Sequence, residues 1–141
     1  MRVLVCGSRK WYQRAIIRRR LEQLPEKTII IHGAARGADT MAGEIARKLG
    51  FGVRQYSALW SDHGRAAGPM RNQVMLEEGK PDLVLAFHAY KTGDKGTRDM
   101  VKKARDANVA VEEHYANGTS TRQMTLFDVA SVKGGKACPR S

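Results

Sequence analysis

Thr28-Ile29-Ile30-Ile31-His32-Gly33-Ala34-Ala35-Arg36-Gly37-Ala38-Asp39 is a β-branched run that stops at a glycine, turns on a second glycine and opens a helix. β-branched residues suit a pleated, covered surface, so Thr28 to Ile31 reads as a strand. Met41, Ile45, Ala46 and Leu49 then recur at helical spacing, with Gly50 just past the end. The same unit lies on either side. Val3 to Cys6 ends at Gly7-Ser8-Arg9 and leads into a helix carrying Ala15, Ile16, Arg19, Leu21 and Leu24, which Pro25 stops. Val53 to Tyr56 is a short third strand, followed by a polar loop from Ser61 to Ala67. Gly68-Pro69 opens a third helix with Met70, Val74, Met75 and Leu76, which ends at Gly79. Asp82 to Phe87 is the most apolar strand, the loop from His88 to Lys95 leads to a helix from Gly96-Thr97 to Ala107, and Val109 to Val111 is the last strand. Strands alternating with helices predict a parallel sheet with right-handed crossovers. Their unbroken apolar runs suit strands covered on both faces. The expectation is an α/β three-layer sandwich around a five-stranded, mostly parallel sheet.

A chain of 141 residues fits one domain, assigned to residues 1–116. From Asn117 the periodicity vanishes and Gly, Ser, Thr and Lys dominate, so 117–141 reads as a flexible basic tail. Formal net charge is +11, most of it before the tail, which favours an anionic partner without choosing among nucleic acid, phosphorylated ligand and acidic protein. Cys6 sits in an apolar run and reads as a buried thiol; neither it nor Cys138 has metal-ligand spacing, so no metal or cofactor is expected. The N-terminus lacks the order of a signal peptide and no apolar run reaches the ~20 residues that cross a bilayer. A cytoplasmic location without membrane contact is the expectation.

In an open α/β sheet, ligands bind outside the carboxyl ends of the strands, where strand order reverses. The loops expected there are Gly7-Ser8-Arg9, the run from His32 to Asp39, and Gly96-Thr97. Glycines let a ligand approach the backbone, and helix N-termini present free N–H groups to phosphate. Ser8 and Thr97 add hydroxyls, and Arg9, Arg36 and Arg71 add charged forks. Gly7, Ser8, Arg9, Gly33, Arg36, Gly37, Asp39, Arg71, Gly96 and Thr97 are therefore the candidate ligand-binding residues.

Four ordered blocks carry a resemblance: Val3 to Arg9, His32 to Asp39, His63-Gly64-Arg65-Ala66-Ala67-Gly68-Pro69-Met70-Arg71-Asn72, and Gly96-Thr97-Arg98-Asp99-Met100. Over roughly residues 1–113 the chain resembles the YspA-type, YpsA-related branch of the SLOG superfamily. The resemblance implies a Rossmann-like fold and a nucleotide or nucleotide-derived ligand. That superfamily includes the Lonely Guy phosphoribohydrolases, the DNA-processing protein A that handles single-stranded DNA, and sensor domains of antiviral systems. The hydrolases carry a PGGxGTxxE loop whose glutamate helps cleave the N-glycosidic bond. Here Gly96-Thr97 stands, the Pro-Gly-Gly is absent, and the glutamate position is Met100, which cannot move a proton. Asp99 is one residue away, a rotation of ~100° on a helix. Arg71 matches the arginine of the other catalytic block. Three readings follow: a binder of nucleotide-type signals, which leads; an N-glycosidase of nucleoside monophosphates using Arg71 and Asp99; and a single-stranded DNA-processing module. A homo-oligomer is the expected assembly.

Other residues have an ordinary and a functional reading. His32 either meets the ligand or hydrogen-bonds a loop, and His63 beside Asp62 is a weaker acid–base candidate. Trp11 and Tyr12 read as packing residues, while Trp60 is placed to face the cleft. In the tail, Gln123-Met124-Thr125-Leu126-Phe127 is similar to the bacterial sliding-clamp-binding pentapeptide. Leu126 and Phe127 would fill an apolar pocket while the Gln123 amide fixes register. The clamp is thus an expected partner.

Overall fold

Val3, Leu4, Val5, Ile30, Ile31, Val84, Leu85 and Phe87 are all fully buried, so the central strands are covered on both faces. The computed structural model describes residues 1–58, 63–89 and 94–123. It contains β1 (Arg2–Gly7), α1 (Arg14–Leu21), β2 (Ile29–His32), α2 (Ala38–Lys48), β3 (Gly52–Gln55), a 3₁₀ turn (Gly64–Ala66), α3 (Ala67–Gly79), β4 (Leu83–His88), α4 (Lys95–Asp106), β5 (Ala110–Tyr115) and β6 (Ser120–Gln123). The sheet order is β3-β2-β1-β4-β5-β6. The first five strands are parallel, and β6 is antiparallel to β5. This is a Rossmann-like α/β fold.

Strand alternation sorts the side chains into two cores. Val3, Val5, Ile30, Leu85 and Phe87 pack with α1 and α2 residues such as Ile17, Leu21, Ala42 and Ile45. Leu4, Cys6, Ile31, Val84 and Ala86 pack with Met75 of α3 and Met100, Val101 and Ala104 of α4. Trp11 is one of the packing residues expected, meeting Phe87 edge-on at 5.4 Å. Tyr12 is not: it stands exposed at the surface.

The helix stops follow their backbone chemistry. Gly50 adopts φ +84° beyond α2, a left-handed conformation open to glycine. After α3 it is Lys80 that turns left-handed, and Pro81 prevents the helix from resuming. Among the described residues no helix is long and apolar enough to cross a membrane.

One expectation needs correction. The sheet has six strands rather than five, because Ser120–Gln123 lies within the segment read as tail. Asn117-Gly118 makes the tight return: Gly118 has φ +91° and Thr119 N–H donates to Asn117 Oδ1 at 3.0 Å. Val111 then faces Gln123 and His114 faces Ser120. Ser-Thr-Arg-Gln has no apolar alternation, so hydropathy alone conceals a strand held by backbone pairing at the sheet edge. The loop holding Trp60 and Asp62 and the tail beyond Gln123 lie outside the described residues.

Candidate functional site

The strand order runs outward from β1 through β2 to β3 on one side and through β4 on the other, so the crevice falls above the β1–β4 seam. Two adjoining cavities open there. The first, about 340 Å³, is lined by Cys6, Gly7, Arg9, Ala35, Asp39, Arg71, Asn72, Met75 and the start of α4 from Asp94 to Thr97. The second, about 370 Å³, is lined by Arg9, Gly33, Ala34, Ala35, Arg36, Ser57, Ala58 and Arg71. Arg9, Ala35 and Arg71 line both and form a waist between two lobes.

Arg71 is held from two sides. Its Nη1 donates to Gly33 O at 2.5 Å, and its Nε donates to Asn72 Oδ1 at 3.0 Å. A Cβ at Gly33 would stand 2.6 Å from Arg71 Cζ, so a side chain there would displace the guanidinium. Asn72, almost fully buried, fixes the next layer. Its Nδ2 donates to Gly96 O at 3.2 Å and to Asp99 Oδ2 at 3.0 Å, tying α3 to the first turn of α4.

Beneath the waist sits Asp39, which accepts a hydrogen bond from Gly33 N–H at 2.9 Å. Burial pushes its carboxyl up to about 6, against the backbone N–H groups of Gly33 and Ala35 and the charges of Arg71 and Arg9. Burial likewise raises the Cys6 thiol well above its ordinary value, which leaves it a protonated wall group.

α4 begins without a side-chain cap. Asp94 stands at the capping position, yet its Oδ2 accepts from Arg9 N–H at 3.1 Å instead. Among the described residues the first backbone donor with a partner is Arg98 N–H, on Asp94 O at 2.9 Å. The N–H groups of the first turn, at Lys95, Gly96 and Thr97, thus open the helix toward the first lobe.

Gly7, Arg9, Gly33, Arg36, Asp39, Arg71, Gly96 and Thr97 are brought together as cleft-lining residues. Two other candidates serve the fold beneath. Ser8 is buried and its Oγ accepts from Lys10 N–H at 3.1 Å. Gly37 has φ +77°, and a Cβ there would run into Ser8 O. Gly7 has a packing reason as well, since a Cβ would stand 2.6 Å from both Ala38 Cβ and Phe87 O.

Arg71 and Asp99 do not share the cleft. Asp99 lines neither lobe, and Lys103 Nζ lies 2.6 Å from each of its oxygens. Met100, at the glutamate position, is fully buried in the core.

His32 is a loop-holding residue: its Nδ1 accepts from Ala34 N–H at 3.0 Å. Burial, helped by the charges of Arg47 and Arg71, lowers it to about 4, so it is neutral at pH 7. Its Nε2 faces Gly43, where a Cβ would stand 2.7 Å away. His63 is exposed. Asn72, Asp94 and Lys95 escape sequence reasoning, although Asn72 adjoins Arg71 and Asp94 falls three residues before Thr97, a spacing typical of a helix cap.

Comparison with known proteins agrees with this architecture. The model of the YspA, cpYpsA-related SLOG family matches residues 1–63, from β1 to the loop before α3. The chain is 36% identical over 119 residues to the Gene 61 protein of Mycobacterium phage D29, covering 78% of this chain and 93% of that protein. The structure of DNA processing protein A (DprA) from Streptococcus pneumoniae superposes with a TM-score of 0.64 at 18% identity. That match covers 78% of this chain and 48% of the other, so the chain spans about half of that protein, and at this identity the likeness is one of fold alone. With its blocks at the crevice of a sheet ordered β3-β2-β1-β4-β5-β6, the chain belongs to the YspA, cpYpsA-related SLOG family.

Proposed function

We propose that the chain binds a nucleotide or nucleotide-derived phosphorylated ligand in the two-lobed cleft and does not hydrolyse it. One observation carries the reading: Gly96, the second residue of α4, has nothing within 4 Å of where a Cβ would project. Glycine in a helix costs about 1 kcal/mol relative to alanine. No packing within the described chain requires it there, so close approach of a ligand to an uncapped helix N-terminus accounts for it. The charged waist of Arg9 and Arg71 faces the same space.

Neither residue at the hydrolytic position of the α4 loop can carry a proton into the cleft. Met100 is in the core, and Asp99 is engaged by Lys103 and Asn72. A missing general acid–base group typically costs ~10²–10⁴ in rate. A panel of nucleoside mono- and diphosphates should raise the melting temperature, and chromatography of the same mixtures should show no released base. An unmoved melting temperature across the panel would remove the binding reading, and base release at enzymatic rates would remove the second clause.

We further propose that residues 123–127 tether the domain to a bacterial sliding clamp. Gln123 closes β6 opposite Val111, while Leu126 and Phe127 lie outside the described residues. A peptide of residues 122–128 is expected to bind the clamp with micromolar affinity, on the order of 8 kcal/mol. The double change Leu126→Ala and Phe127→Ala should abolish that binding without lowering the melting temperature of the full chain. A lowered melting temperature with no clamp contact in either form would mean that the tail only packs on its own domain.

A further inference from the structure

The two lobes differ in charge. The first mixes Arg9, Arg71 and Lys95 with the carboxylates of Asp39 and Asp94, and has Cys6 and Met75 as apolar wall. Among the described residues the second has three arginines, Arg9, Arg36 and Arg71, and no carboxylate. Paired acids and bases beside apolar wall suit a nucleoside, whose sugar hydroxyls and base edges both donate and accept. An all-arginine lobe suits a dianion.

Arg71 reaches the waist already oriented by Gly33 O and Asn72 Oδ1, so little side-chain freedom remains to be lost on binding. Burial lowers the Arg71 guanidinium below its ordinary value, while the charge of Asp39 opposes this and that of Arg9 adds to it. Arg9 and Arg71 line both lobes, so two cations border the second lobe at the waist. Lys95, Gly96 and Thr97 line only the first lobe, and Arg36 lines only the second. A ligand touching both sets needs anionic groups at opposite ends.

We infer that the Arg9–Arg36–Arg71 lobe is a second phosphate subsite, and that the ligand carries two phosphate groups separated by a nucleoside. This rests on the reading above that a phosphate sits at Gly96–Thr97, and extends it to a bis-phosphorylated ligand class. That class has two sources, a free nucleoside 3′,5′-bisphosphate and the 5′-phosphorylated end of a short oligonucleotide.

Calorimetric titration of the full chain tests the inference with adenosine and guanosine 5′-monophosphates, the matching 5′-diphosphates and 3′,5′-bisphosphates, and the dinucleotides pApA and pGpG. The bisphosphates should bind about tenfold more tightly than the monophosphates, and more tightly than the 5′-diphosphates, whose charges are contiguous. Arg36→Ala should bring the bisphosphate-to-monophosphate ratio down toward one, whereas Arg19→Ala on the exposed face of α1 should leave the ratio unchanged. Dinucleotides matching or exceeding the bisphosphates point to an oligonucleotide end, and weaker dinucleotides to the free nucleotide; both results support the second subsite. Monophosphates and bisphosphates of equal affinity, or a gain that survives Arg36→Ala, overturn it while leaving the first lobe's assignment intact. If no compound binds a chain whose melting curve is cooperative, the phosphate reading of the first lobe fails and the second subsite fails with it.

Discussion

Two clusters of charge lie within this small domain, and they are finished differently. On the α1 side of β5, Arg20 and Glu112 form a bidentate pair, with Nε–Oε1 at 2.6 Å and Nη2–Oε2 at 3.1 Å. His114 Nε2 donates to the same carboxylate at 2.7 Å, and its ring stacks on Phe87. Arg20 and Glu112 are only 5% and 6% exposed. Burial alone would raise the Glu112 carboxyl, but hydrogen bonds from His114 and Arg20, with their charges, hold it down at about 2. At the carboxyl ends of the strands, Asp39 lies near Arg71 yet burial leaves its carboxyl up at about 6. The first cluster satisfies itself, as a structural ion pair must when water is excluded. The second is left incomplete where it opens on the cleft. Charge closed upon itself serves the fold here, and the charge left open among the described residues borders the proposed site.

Breaking the closed cluster should have the largest effect. Arg20→Ala strands Glu112 as a buried, partly compensated carboxylate, and removing one partner of such a pair typically costs about 3–5 kcal/mol. Chemical denaturation should show this loss, and the double change Arg20→Met and Glu112→Leu should recover much of it. A single-variant loss below about 1 kcal/mol would mean that the pair is effectively solvated.

The two carboxyls should also give opposite pH slopes. Glu112 is depressed from 4.5 to about 2, so its stabilisation is present above pH 4.5 and is lost as pH falls through 2. Asp39 is raised from 3.8 to about 6, so its contribution is present below pH 3.8 and is lost as pH rises through 6. Glu112→Gln should flatten the acid limb of the stability profile, and Asp39→Asn the limb between about pH 4 and 6. Slopes unchanged by both variants would erase the distinction drawn between the clusters.

On the open side, Arg71→Ala should weaken phosphate-ligand binding by tenfold or more, about 1.4 kcal/mol. Arg14→Ala should change it less than twofold, because Arg14 is an exposed α1 residue 3.7 Å from Glu44. Equal effects would sink the site assignment. The smallest effect is the most specific. Gly96→Ala should stabilise the free protein by about 0.5–1 kcal/mol, since a methyl meets nothing there, while weakening ligand binding. A stabilised variant with undiminished affinity would take away the reason given for that glycine.

Much of this was legible in the chain. Apolar runs such as Leu83 to Phe87 and the periodicity from Met41 to Leu49 report on burial, and burial sets both strands and helices. That the strand ends line a cleft was legible too, although Gly7 and Gly37 also answer packing needs of the fold. Partnership was not legible. Ser8 and Thr97 are both hydroxyl residues in loops, yet one turns inward to Lys10 N–H and the other lines the cleft. Asp99 looked available because its neutralisation depends on Asn72, from another helix, as well as on Lys103. β6 was missed because Ser-Thr-Arg-Gln is held by backbone pairing, which hydropathy does not register.

The β1–β4 seam has a consequence for how the chain reaches this state. Val3 lies opposite Leu83 and Gly7 opposite Phe87, so the central pairing joins segments with most of the chain between them. At the end away from the cleft, Arg2 and Asp82 latch the seam: Arg2 N–H donates to Asp82 Oδ2 at 2.8 Å, Asp82 N–H to Arg2 O at 2.7 Å, and Arg2 Nη1 to Gly79 O at 2.9 Å. Contacts this distant in sequence must close a long loop before any stabilisation is gained, which slows folding. The β1-to-β3 half supplies Arg9, Arg36 and Asp39, and the other half supplies Arg71, Gly96 and Thr97. A ligand spanning the cleft therefore clamps the seam at the end opposite the latch. If the proposed ligand binds there, occupancy should lengthen the lifetime of the folded state, making ligand supply a control on how long each copy of the protein survives.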